Sequence, residues 1–364
     1  MIIQDVINYL EELSPLTYAE DFDNVGLLVG YKSTKITGIL VTLDTLETVV
    51  DEAIENNCNL IVSFHPIIFK GLKKLTGENY VERVVIKAIK NNIAIFAIHT
   101  ALDNALQGVN DMICKKIGLI NTRILIPQTG TIKKLTTYAP KDEADKIREA
   151  LFNAGAGSIG NYKECSFNIK GIGTYNGNIN SNPSRGKKGS LHFEPEIQIS
   201  VIYAKHLEVK ILQTLFKTHS YDEVAYEITT LENKNQYIGM GMIGEFETPM
   251  EEALFLNHIK SKMKAKCIRH SALLGKPIQK VAVLGGSGSF AINDAKAAKA
   301  DAFITADLKY HDFFRAENSI ILADIGHYES EQYTKNGLVE FLTKKMPNFA
   351  VVLSKTPTNP VKYL

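Results

Sequence analysis

Three short apolar segments of this chain run directly into polar side chains, and this pattern constrains the fold more than any other feature. Each segment is typical of a buried strand, and candidate metal ligands follow within a few residues: His65 after 59–63, Asp103 after 93–98, and His327 and Glu331 after 319–324. In open α/β sheets, ligands bind beyond the carboxyl ends of the strands. We therefore expect these side chains to converge. Imidazole and carboxylate together suit zinc, iron, manganese or cobalt.

Helix and strand patterns alternate in both outer parts of the chain. In the first part, amphipathic faces such as that of Ile3, Val6, Ile7 and Leu10 alternate with strand-like apolar runs, which gives a βαβαβ rhythm. The last part repeats this rhythm from Lys280 onward. Such alternation predicts an α/β fold with a mostly parallel sheet that helices cover on both sides.

The rhythm changes between residues 131 and 234, which predicts a separate α+β domain. Two strand–helix units and two further strands in this stretch suggest a split βαβ, ferredoxin-like unit. Residues 175–190 are rich in Asn, Gly and Ser and predict a loop. We expect residues 131–234 to be inserted into a two-lobed α/β core made of 1–130 and 235–364. Because both parts of the core carry candidate ligands, the metal site should span its two lobes.

Each candidate ligand also has a purely structural interpretation. His327 and Glu331 are four residues apart, which puts both on one face of a helix, where they either chelate one ion or form a surface hydrogen bond. Asp103 is equally explained as a helix N-cap or a turn residue. His65, taken alone, fits a buried structural histidine better than a ligand. Only their combination at three strand ends favours a metal site.

Other polar positions are candidates for chemistry around a metal. His99 ends a strand, and it is a ligand, a residue that orients Asp103, or a buried structural histidine. Glu329, His311 and His99 are the candidate proton donors and acceptors. The turn 285–289 either offers backbone N–H groups to a phosphate or is only a tight strand–helix connection. Its candidate phosphate contacts are Gly286, Ser287 and Gly288.

Composition and charge exclude several classes of function. The formal net charge of +1 gives no support to binding of nucleic acid or of an anionic membrane. The four cysteines are widely spaced, so a thiolate zinc site is not expected and a reducing compartment is the simpler interpretation. No apolar run approaches the length of a membrane span, and the first residues include acids where a signal peptide carries bases. We expect a cytoplasmic protein.

Several short motifs, taken together, resemble one known family. They are DFDNVGL at 21–27, SFHP at 63–66, HTALD at 99–103, GGSGS at 285–289, GHYESE at 326–331 and, in the insert, AGAG at 154–157, GNY at 160–162 and EVAY at 223–226. The chain resembles, over essentially its whole length, the NIF-three-like dinuclear-metal-centre proteins, also named GTP cyclohydrolase I type 2 homologues. The insert is similar to the PII/CutA-like insert of the longer members.

The resemblance implies a fold, an assembly and a set of metal ligands. It implies a two-lobed α/β core with a metal pair in the cleft between its halves, and a ring-shaped homo-oligomer, usually a hexamer. By motif, His65, Asp103, His327 and Glu331 would be the ligands, with Glu331 bridging the pair. The family usually has two adjacent histidines before the proline, whereas the first of them here is Phe64. Phenylalanine cannot bind a metal, so one or two divalent ions per chain are expected.

Two functions of different classes follow from these expectations. The first is a metal-dependent hydrolase in which metal-activated water attacks an electrophilic carbon or phosphorus. The cyclohydrolase name implies a purine nucleotide as its substrate. The second is a non-catalytic metal-binding scaffold, regulatory or metal-trafficking protein, which the missing histidine at Phe64 favours. An exchangeable water in an open pocket would support the first function, and a closed four-ligand site the second.

Overall fold

The chain divides into two compact units. A computed structural model describes residues 1–364, in which unit 1 comprises Met1–Pro127 and Gln236–Leu364 and unit 2 comprises Gln128–Asn235. Unit 1 is therefore discontinuous in sequence, and candidate metal ligands come from both of its stretches. None of the helices combines the length and the apolarity that a membrane span requires.

The first stretch of unit 1 alternates helices and strands. Its elements are α1 (Ile3–Leu13), β1 (Gly26–Val29), β2 (Ile39–Thr42), α2 (Glu47–Glu55), β3 (Leu60–Ser63), α3 (Tyr80–Lys90), β4 (Ala94–Ala97), α4 (His99–Asp103), α5 (Val109–Ile117) and β5 (Ile120–Gln128). The amphipathic face predicted for α1 is correct, because Ile3, Val6, Ile7 and Leu10 are all buried.

Unit 2 and the second stretch of unit 1 complete the chain. Unit 2 contains β6 (Ile132–Pro140), α6 (Ala144–Ala154), β7 (Phe167–Tyr175), β8 (His192–Ala204), α7 (Glu208–Thr218) and β9 (Tyr226–Leu231). The second stretch contains β10 (Asn235–Met250), α8 (Glu252–Lys262), β11 (Arg269–His270), β12 (Ile278–Ser287), α9 (Ile292–Ala297), β13 (Ala302–Ala306), β14 (Ile321–Asp324), α10 (His327–Glu331), α11 (Thr334–Lys345) and β15 (Val351–Leu353).

Unit 1 is built on two mixed sheets. The first has the order β1-β4-β3-β2-β15, in which the last four strands are parallel and β1 is antiparallel. The second has the order β11-β14-β13-β12-β10-β5, in which β12, β13 and β14 are parallel and β11 and β10 run antiparallel to their neighbours β14 and β12. The α/β class is confirmed. The first sheet is mostly parallel, as expected, whereas in the second sheet antiparallel strands flank the three parallel ones.

The two sheets share one apolar core. Val62 and Phe96 of the first sheet belong to the same buried cluster as Val283 and Ile304 of the second, together with Ile113 of α5. Two further clusters pack α2 and α3 on the first sheet and α9 on the second. Strands that are buried on both faces have little room for polar side chains. The polar side chains therefore accumulate just beyond the strand ends, where they form the candidate site.

Unit 2 has one antiparallel sheet and two helices. The strand order is β7-β8-β6-β9, and all neighbouring strands are antiparallel. Ile147 and Leu151 of α6 pack with Ile211 and Leu215 of α7 in the core of this unit. The residues between β7 and β8 contain turns and no helix or strand, which agrees with the loop predicted there.

Glu82 closes the turn that precedes α3. Its Oε2 accepts hydrogen bonds from the amide and hydroxyl of Thr76, both at 2.9 Å, and from the amide of Gly77 at 2.9 Å. Its Oε1 accepts from the side chain of Asn79 at 2.7 Å. These bonds, with that from the Thr76 amide the strongest, lower the pKa of Glu82 to about 2. The carboxylate form is therefore the one that stabilises the fold.

We expect Glu82→Gln to lower the free energy of unfolding at neutral pH. Because the pKa of Glu82 is lowered in the folded state, its contribution is present above the ordinary glutamate pKa of 4.5 and is lost as the pH falls towards 2. The difference in the free energy of unfolding between variant and wild type, measured by urea unfolding, should shrink as the pH falls through that interval. Glu78→Gln is the control, because this exposed carboxylate pairs only with Lys74. A difference that does not depend on pH would contradict this assignment.

Candidate metal centre

Three side chains from the two stretches of unit 1 converge on one point. The ligand atoms of His65, His327 and Glu331 all lie within 4.8 Å of one another. Nε2 of His65 is 3.1 Å from Oε2 of Glu331, and Nε2 of His327 is 3.2 Å from the same oxygen. His65 follows the end of β3, and α10 begins at His327 just beyond β14. The strand ends therefore place the three side chains as expected for ligands of an α/β sheet.

A carboxylate holds the other ring nitrogen of each histidine. Nδ1 of His65 lies 2.8 Å from Oδ1 of Asp44, and Nδ1 of His327 lies 2.7 Å from Oδ2 of Asp307. An Nδ1–H that is donated to a carboxylate leaves the lone pair of Nε2 free, as in metal-binding histidines. Both lone pairs would then be directed to the space beside Glu331.

Two buried carboxylate oxygens in this region lack hydrogen bonds. They are Oε2 of Glu331 and Oδ1 of Asp103. Although Oε2 of Glu331 is within ion-pair distance of both imidazoles, it forms no well-directed hydrogen bond with either ring. Buried carboxylate oxygens without partners are costly, and a bound cation would satisfy such an oxygen. Two imidazoles and two carboxylates are a donor set that fits a divalent transition metal.

Asp103 is not one of the three converging side chains, but their charges shift its pKa. Burial and the negative charge of Glu331 raise the pKa of Asp103 well above its ordinary value, and the positive charges of His65 and His327 oppose that shift. Asp103 is the last residue of α4. The alternative that treated it as a helix N-cap is therefore wrong, whereas its role as a metal ligand stays a prediction.

Protons on the two histidines balance the negative charges of the neighbouring carboxylates. Burial alone would lower the pKa of His65, but Asp44 and Glu331 outweigh it and raise this pKa to about 9. In the same way, Asp307 and Glu331 overcome burial and raise the pKa of His327 to about 11. The hydrogen bond from His327 also lowers the pKa of Asp307 to about 2. Metal binding needs neutral imidazoles, so an incoming cation would displace these protons.

His99 lies beside the three converging side chains. The centroid of its ring is 5.3 Å from that of His65, and its Nδ1 is 2.9 Å from Oδ1 of Asp23. Burial would raise the pKa of Asp23, but the hydrogen bonds with His99 and Thr100 lower it to about 2. The backbone of His99 has a φ of +27°, which non-glycine residues rarely adopt and which is typical of constrained functional positions. Its role as ligand or proton carrier stays a prediction.

Phe64 forms an apolar wall behind the histidines. It is fully buried in the shared core of unit 1. The centroid of its ring lies 4.9 Å from that of His65 and 5.6 Å from that of His99. Phe64 therefore contributes only packing at this position.

The converging side chains open into a cleft of about 610 Å³. Its lining includes Asp44, His65, Arg269, Asp307, His327, Glu329, Asn359 and Tyr363. The segment 354–363, which follows β15, contributes Asn359, Pro360, Val361 and Tyr363 to the wall. Thr358 Oγ1 donates to Oδ2 of Asp44 at 2.6 Å, and Asn359 Nδ2 donates to Oε1 of Glu329 at 3.1 Å. Glu329, a predicted proton carrier, is therefore placed in the wall of the cleft.

The glycine turn packs directly against Glu331. A Cβ atom at Gly286 would lie 2.5 Å from Oε1 of Glu331, and its φ of +67° also favours glycine. The amide of Gly286 already donates to Oγ of Ser330 at 2.9 Å. Close packing thus explains this glycine, while phosphate binding by Gly286, Ser287 and Gly288 stays a prediction. Ser287 Oγ donates to Asp307, so the turn also supports the carboxylate that orients His327.

His311 lies on a 3₁₀ turn and not in the wall of the cleft. This turn spans Tyr310–Ala316, and the rings of Tyr310 and Phe314 lie 5.2 and 6.1 Å from that of His311. His311 is exposed and does not line the cleft. Its participation in proton transfer stays a prediction.

Asp44 and Asp307 are functional candidates that the sequence reasoning did not single out. Asp44 follows the end of β2, and Asp307 follows the end of β13. Both obey the strand-end pattern that identified His65 and His327. That pattern could have found them, but an aspartate after a strand is also a common turn residue.

We expect Thr358→Val to weaken metal binding by about tenfold, the lower end of what loss of an outer hydrogen-bond partner costs. The buried threonine donates its hydroxyl to Asp44, and valine keeps its shape but removes that donor. Competition with a chromophoric chelator measures the affinity. Thr358→Ser should restore it, and equal affinities in all three proteins would show that this hydrogen bond does not matter.

Comparisons with known proteins agree over almost the whole chain. A family model described as Duf34/NIF3 (NGG1p interacting factor 3) matches residues 1–360. A Bacillus subtilis protein named GTP cyclohydrolase 1 type 2 homolog is 36% identical over 370 residues, covering 99% of this chain and 98% of the relative. A Staphylococcus epidermidis protein of the same name is 35% identical over 369 residues, covering 100% of both. The crystal structure of a Bacillus cereus protein related to NIF3 superposes with a TM-score of 0.86 at 34% identity, covering 100% of this chain and 99% of that one.

Proposed function

The chain belongs to the Duf34/NIF3 family, and from that premise we propose that it is a metal-dependent hydrolase. In this proposal His65, His327 and Glu331 hold a divalent ion, zinc, iron or manganese, with Asp103 as a further ligand. One arrangement carries the proposal. Nδ1 of each imidazole, in His65 and His327, is bound to a carboxylate, and Nε2 of each lies beside a buried oxygen of Glu331 that has no hydrogen bond.

The surrounding residues support hydrolysis rather than storage of the ion. A divalent metal lowers the pKa of a coordinated water to about 7 and so supplies hydroxide at neutral pH. The side chains of His65 and His327 are 22% and 41% exposed, so substrate and water can reach the ligands from the cleft. Asp44 and Asp307 fix the two rings. Glu329 is buried beside the cleft, and we assign it the role of holding a proton.

The proposed substrate is a purine nucleotide. The curated relatives in Bacillus subtilis and Staphylococcus epidermidis are named as homologues of a GTP cyclohydrolase. Arg269 supports the choice of an anionic substrate, because it lines the cleft and its side chain is 56% exposed even though it pairs with Asp324. The phosphate contacts predicted at Gly286, Ser287 and Gly288 belong to this proposal.

A second candidate function is a non-catalytic metal-binding protein. The observation in its favour is Phe64, which is fully buried and offers no ligand where the family pattern has a histidine. In this alternative a single ion is held for a structural, regulatory or trafficking role. Turnover of a nucleotide by the metal-loaded protein separates the two candidates.

Metal content and turnover test these proposals together. We expect plasma mass spectrometry to find about one ion per wild-type chain and a second ion in Phe64→His, because an imidazole restores a ligand next to His65. Two ions in the wild type would mean that another side chain, such as His99, replaces the missing ligand. No bound metal in either protein would overturn metal binding. GTP hydrolysis that follows metal content supports the hydrolase, and no turnover by loaded protein supports the alternative.

Two further proposals concern the architecture and the assembly. For unit 2 we propose a ferredoxin-like fold of the PII/CutA type inserted at residues 131–234. The chain order β6-α6-β7-β8-α7-β9 and the antiparallel strand order support it. A homohexameric ring stays a prediction, which analytical ultracentrifugation of the purified chain would measure.

A further inference from the structure

Unit 2 contains a cavity of about 540 Å³ that is built wholly from its own residues. It lies between the end of β7, the following loop, β8 and the segment 221–225. We propose that this cavity binds a small organic cation with N–H donors, such as a primary amine or a guanidinium group. The proposal is independent of the metal centre, because it involves none of the residues assigned to it.

Tyrosine rings form the apolar part of the wall. Tyr138, Tyr175 and Tyr221 all line the cavity. The centroids of the Tyr175 and Tyr221 rings lie 5.9 Å apart, with their planes inclined by 66°. Two inclined rings form a concave corner, and the faces of such rings attract cations. This arrangement suits the alkyl body and the charged head of an organic cation.

Glu196 provides a carboxylate oxygen for the ligand. Its Oε1 accepts a hydrogen bond from the hydroxyl of Tyr221 at 2.7 Å, whereas Oε2 accepts none within the protein. The side chain reaches across β7 at Gly173, where a Cβ atom would lie 2.1 Å from Oε2. Glycine at this position therefore leaves room for the carboxylate. The free Oε2 is an acceptor for an N–H group of the ligand.

The charges around the cavity select against anions. Glu196, Asp222 and Glu223 line it, and no Lys, Arg or His does so. The nearby Arg185 is already engaged by Asp142, Glu143 and Glu194.

The titration of the tyrosines agrees with this electrostatic environment. Burial, reinforced by the hydrogen bond to Glu196 and its charge, raises the pKa of Tyr221 far above its usual value. Burial also raises the pKa of Tyr175. The two phenols therefore stay neutral, and the cavity carries net negative charge from its carboxylates.

The loop after β7 is fixed by its own hydrogen bonds. Oδ1 of Asn178 accepts from the amides of Asn180 and Ser181, at 2.8 and 3.1 Å. The amide of Asn182 donates to Oδ2 of Asp222 at 2.7 Å, which ties the loop to the opposite wall. The cavity is therefore formed before a ligand arrives, as small-molecule sites usually are.

Four-carbon probes of different charge test the ligand class on the full-length protein. Putrescine and agmatine are the cations, 1,4-butanediol is the neutral analogue of putrescine, and succinate is the anion of similar length. Isothermal titration should detect putrescine or agmatine with a Kd below about 1 mM and should detect neither butanediol nor succinate up to about 10 mM. Binding of succinate, or equal binding of butanediol, would overturn the proposal, as would no binding of either cation.

Substitutions locate the binding in this cavity. We expect Glu196→Gln to weaken cation binding by at least about tenfold, because it removes the charge and leaves an amide of the same shape. Gly173→Ala should weaken cation binding by a similar factor, because the added methyl group displaces the Glu196 carboxylate but leaves its charge unchanged. The control is Asp145→Asn, which neutralises a carboxylate on α6 that is 89% exposed.

Thermal unfolding by circular dichroism shows whether the variants keep their fold. If either Glu196→Gln or Gly173→Ala is folded and binds putrescine as tightly as the wild type, the assignment to this cavity is wrong. The same holds if Asp145→Asn weakens binding as much as Glu196→Gln does, because non-specific charge attraction would then explain the affinity. Loss of binding in both cavity variants but not in the control supports the site.

Discussion

Glu331→Ala is expected to lower the affinity for metal by more than about 100-fold, beyond the range found when only an outer partner of a ligand is lost. Oε2 of Glu331 is the one atom that faces both His65 and His327. Its removal deletes the ligand on which the proposed site is centred. The rest of the cleft is held by the strand ends, so the fold should persist. Metal content after dialysis and chelator competition measure the loss.

The matched control for this variant is Glu340→Ala. Glu340 lies on the exposed side of α11 and pairs only with Lys344. The control should bind metal like the wild type. Full metal content in Glu331→Ala, with circular dichroism like that of the wild type, would remove Glu331 from the ligand set and with it the proposed site.

Gly108→Ala is expected to destabilise unit 1 by more than about 3 kcal/mol, in the range of the most damaging single substitutions. A Cβ atom at Gly108 would lie 1.8 Å from the carbonyl oxygen of Leu102 and 2.9 Å from that of Ala105. Both atoms are backbone, so the turn between α4 and α5 has to open. The amide of Gly108 also donates to the Ala105 carbonyl at 2.9 Å, which makes this turn tight.

The same substitution should also weaken metal binding, because Leu102 immediately precedes the predicted ligand Asp103. Urea unfolding followed by circular dichroism gives the change in stability, and chelator competition gives the change in affinity. Gly71→Ala is the control, because a Cβ there meets no atom within 4 Å. A Gly108→Ala protein as stable as this control would show that the turn can relax at little cost.

The convergence of the candidate ligands was predictable in part, because they follow the ends of buried strands. His65 follows β3 of the first sheet, whereas His327 and Glu331 follow β14 of the second. The strand-end rule placed each side chain at the edge of its own sheet, and the apolar runs that form those strands are visible in the sequence. The packing of the two sheets on one core then brings the three side chains together. The alternation of helix and strand patterns likewise indicated the α/β class. The mixed sheets were not predicted, because one sequence does not show which strands become neighbours.

Other parts of the site depend on contacts that have no local signature. Asp103 was open to an N-cap interpretation because α4 is too short to show an apolar periodicity. Without that periodicity, the sequence does not reveal where the helix begins and ends. The segment 354–363 has no regular structure, so nothing in its pattern indicated that Thr358 would bind Asp44. The positive φ of His99 is a property of the folded backbone, and the sequence pattern around His99 does not reveal it.

The discontinuity of unit 1 has a consequence for the order of events during protein synthesis. Asp44, His65 and Asp103 leave the ribosome first, and the whole of unit 2 is then translated before His327 and Glu331 appear. At about 5–20 residues per second, the early half of the site exists for many seconds without its counterpart. The candidate ligand set is therefore incomplete until Glu331 has been translated, and a metal that uses the proposed site would be acquired only after that point.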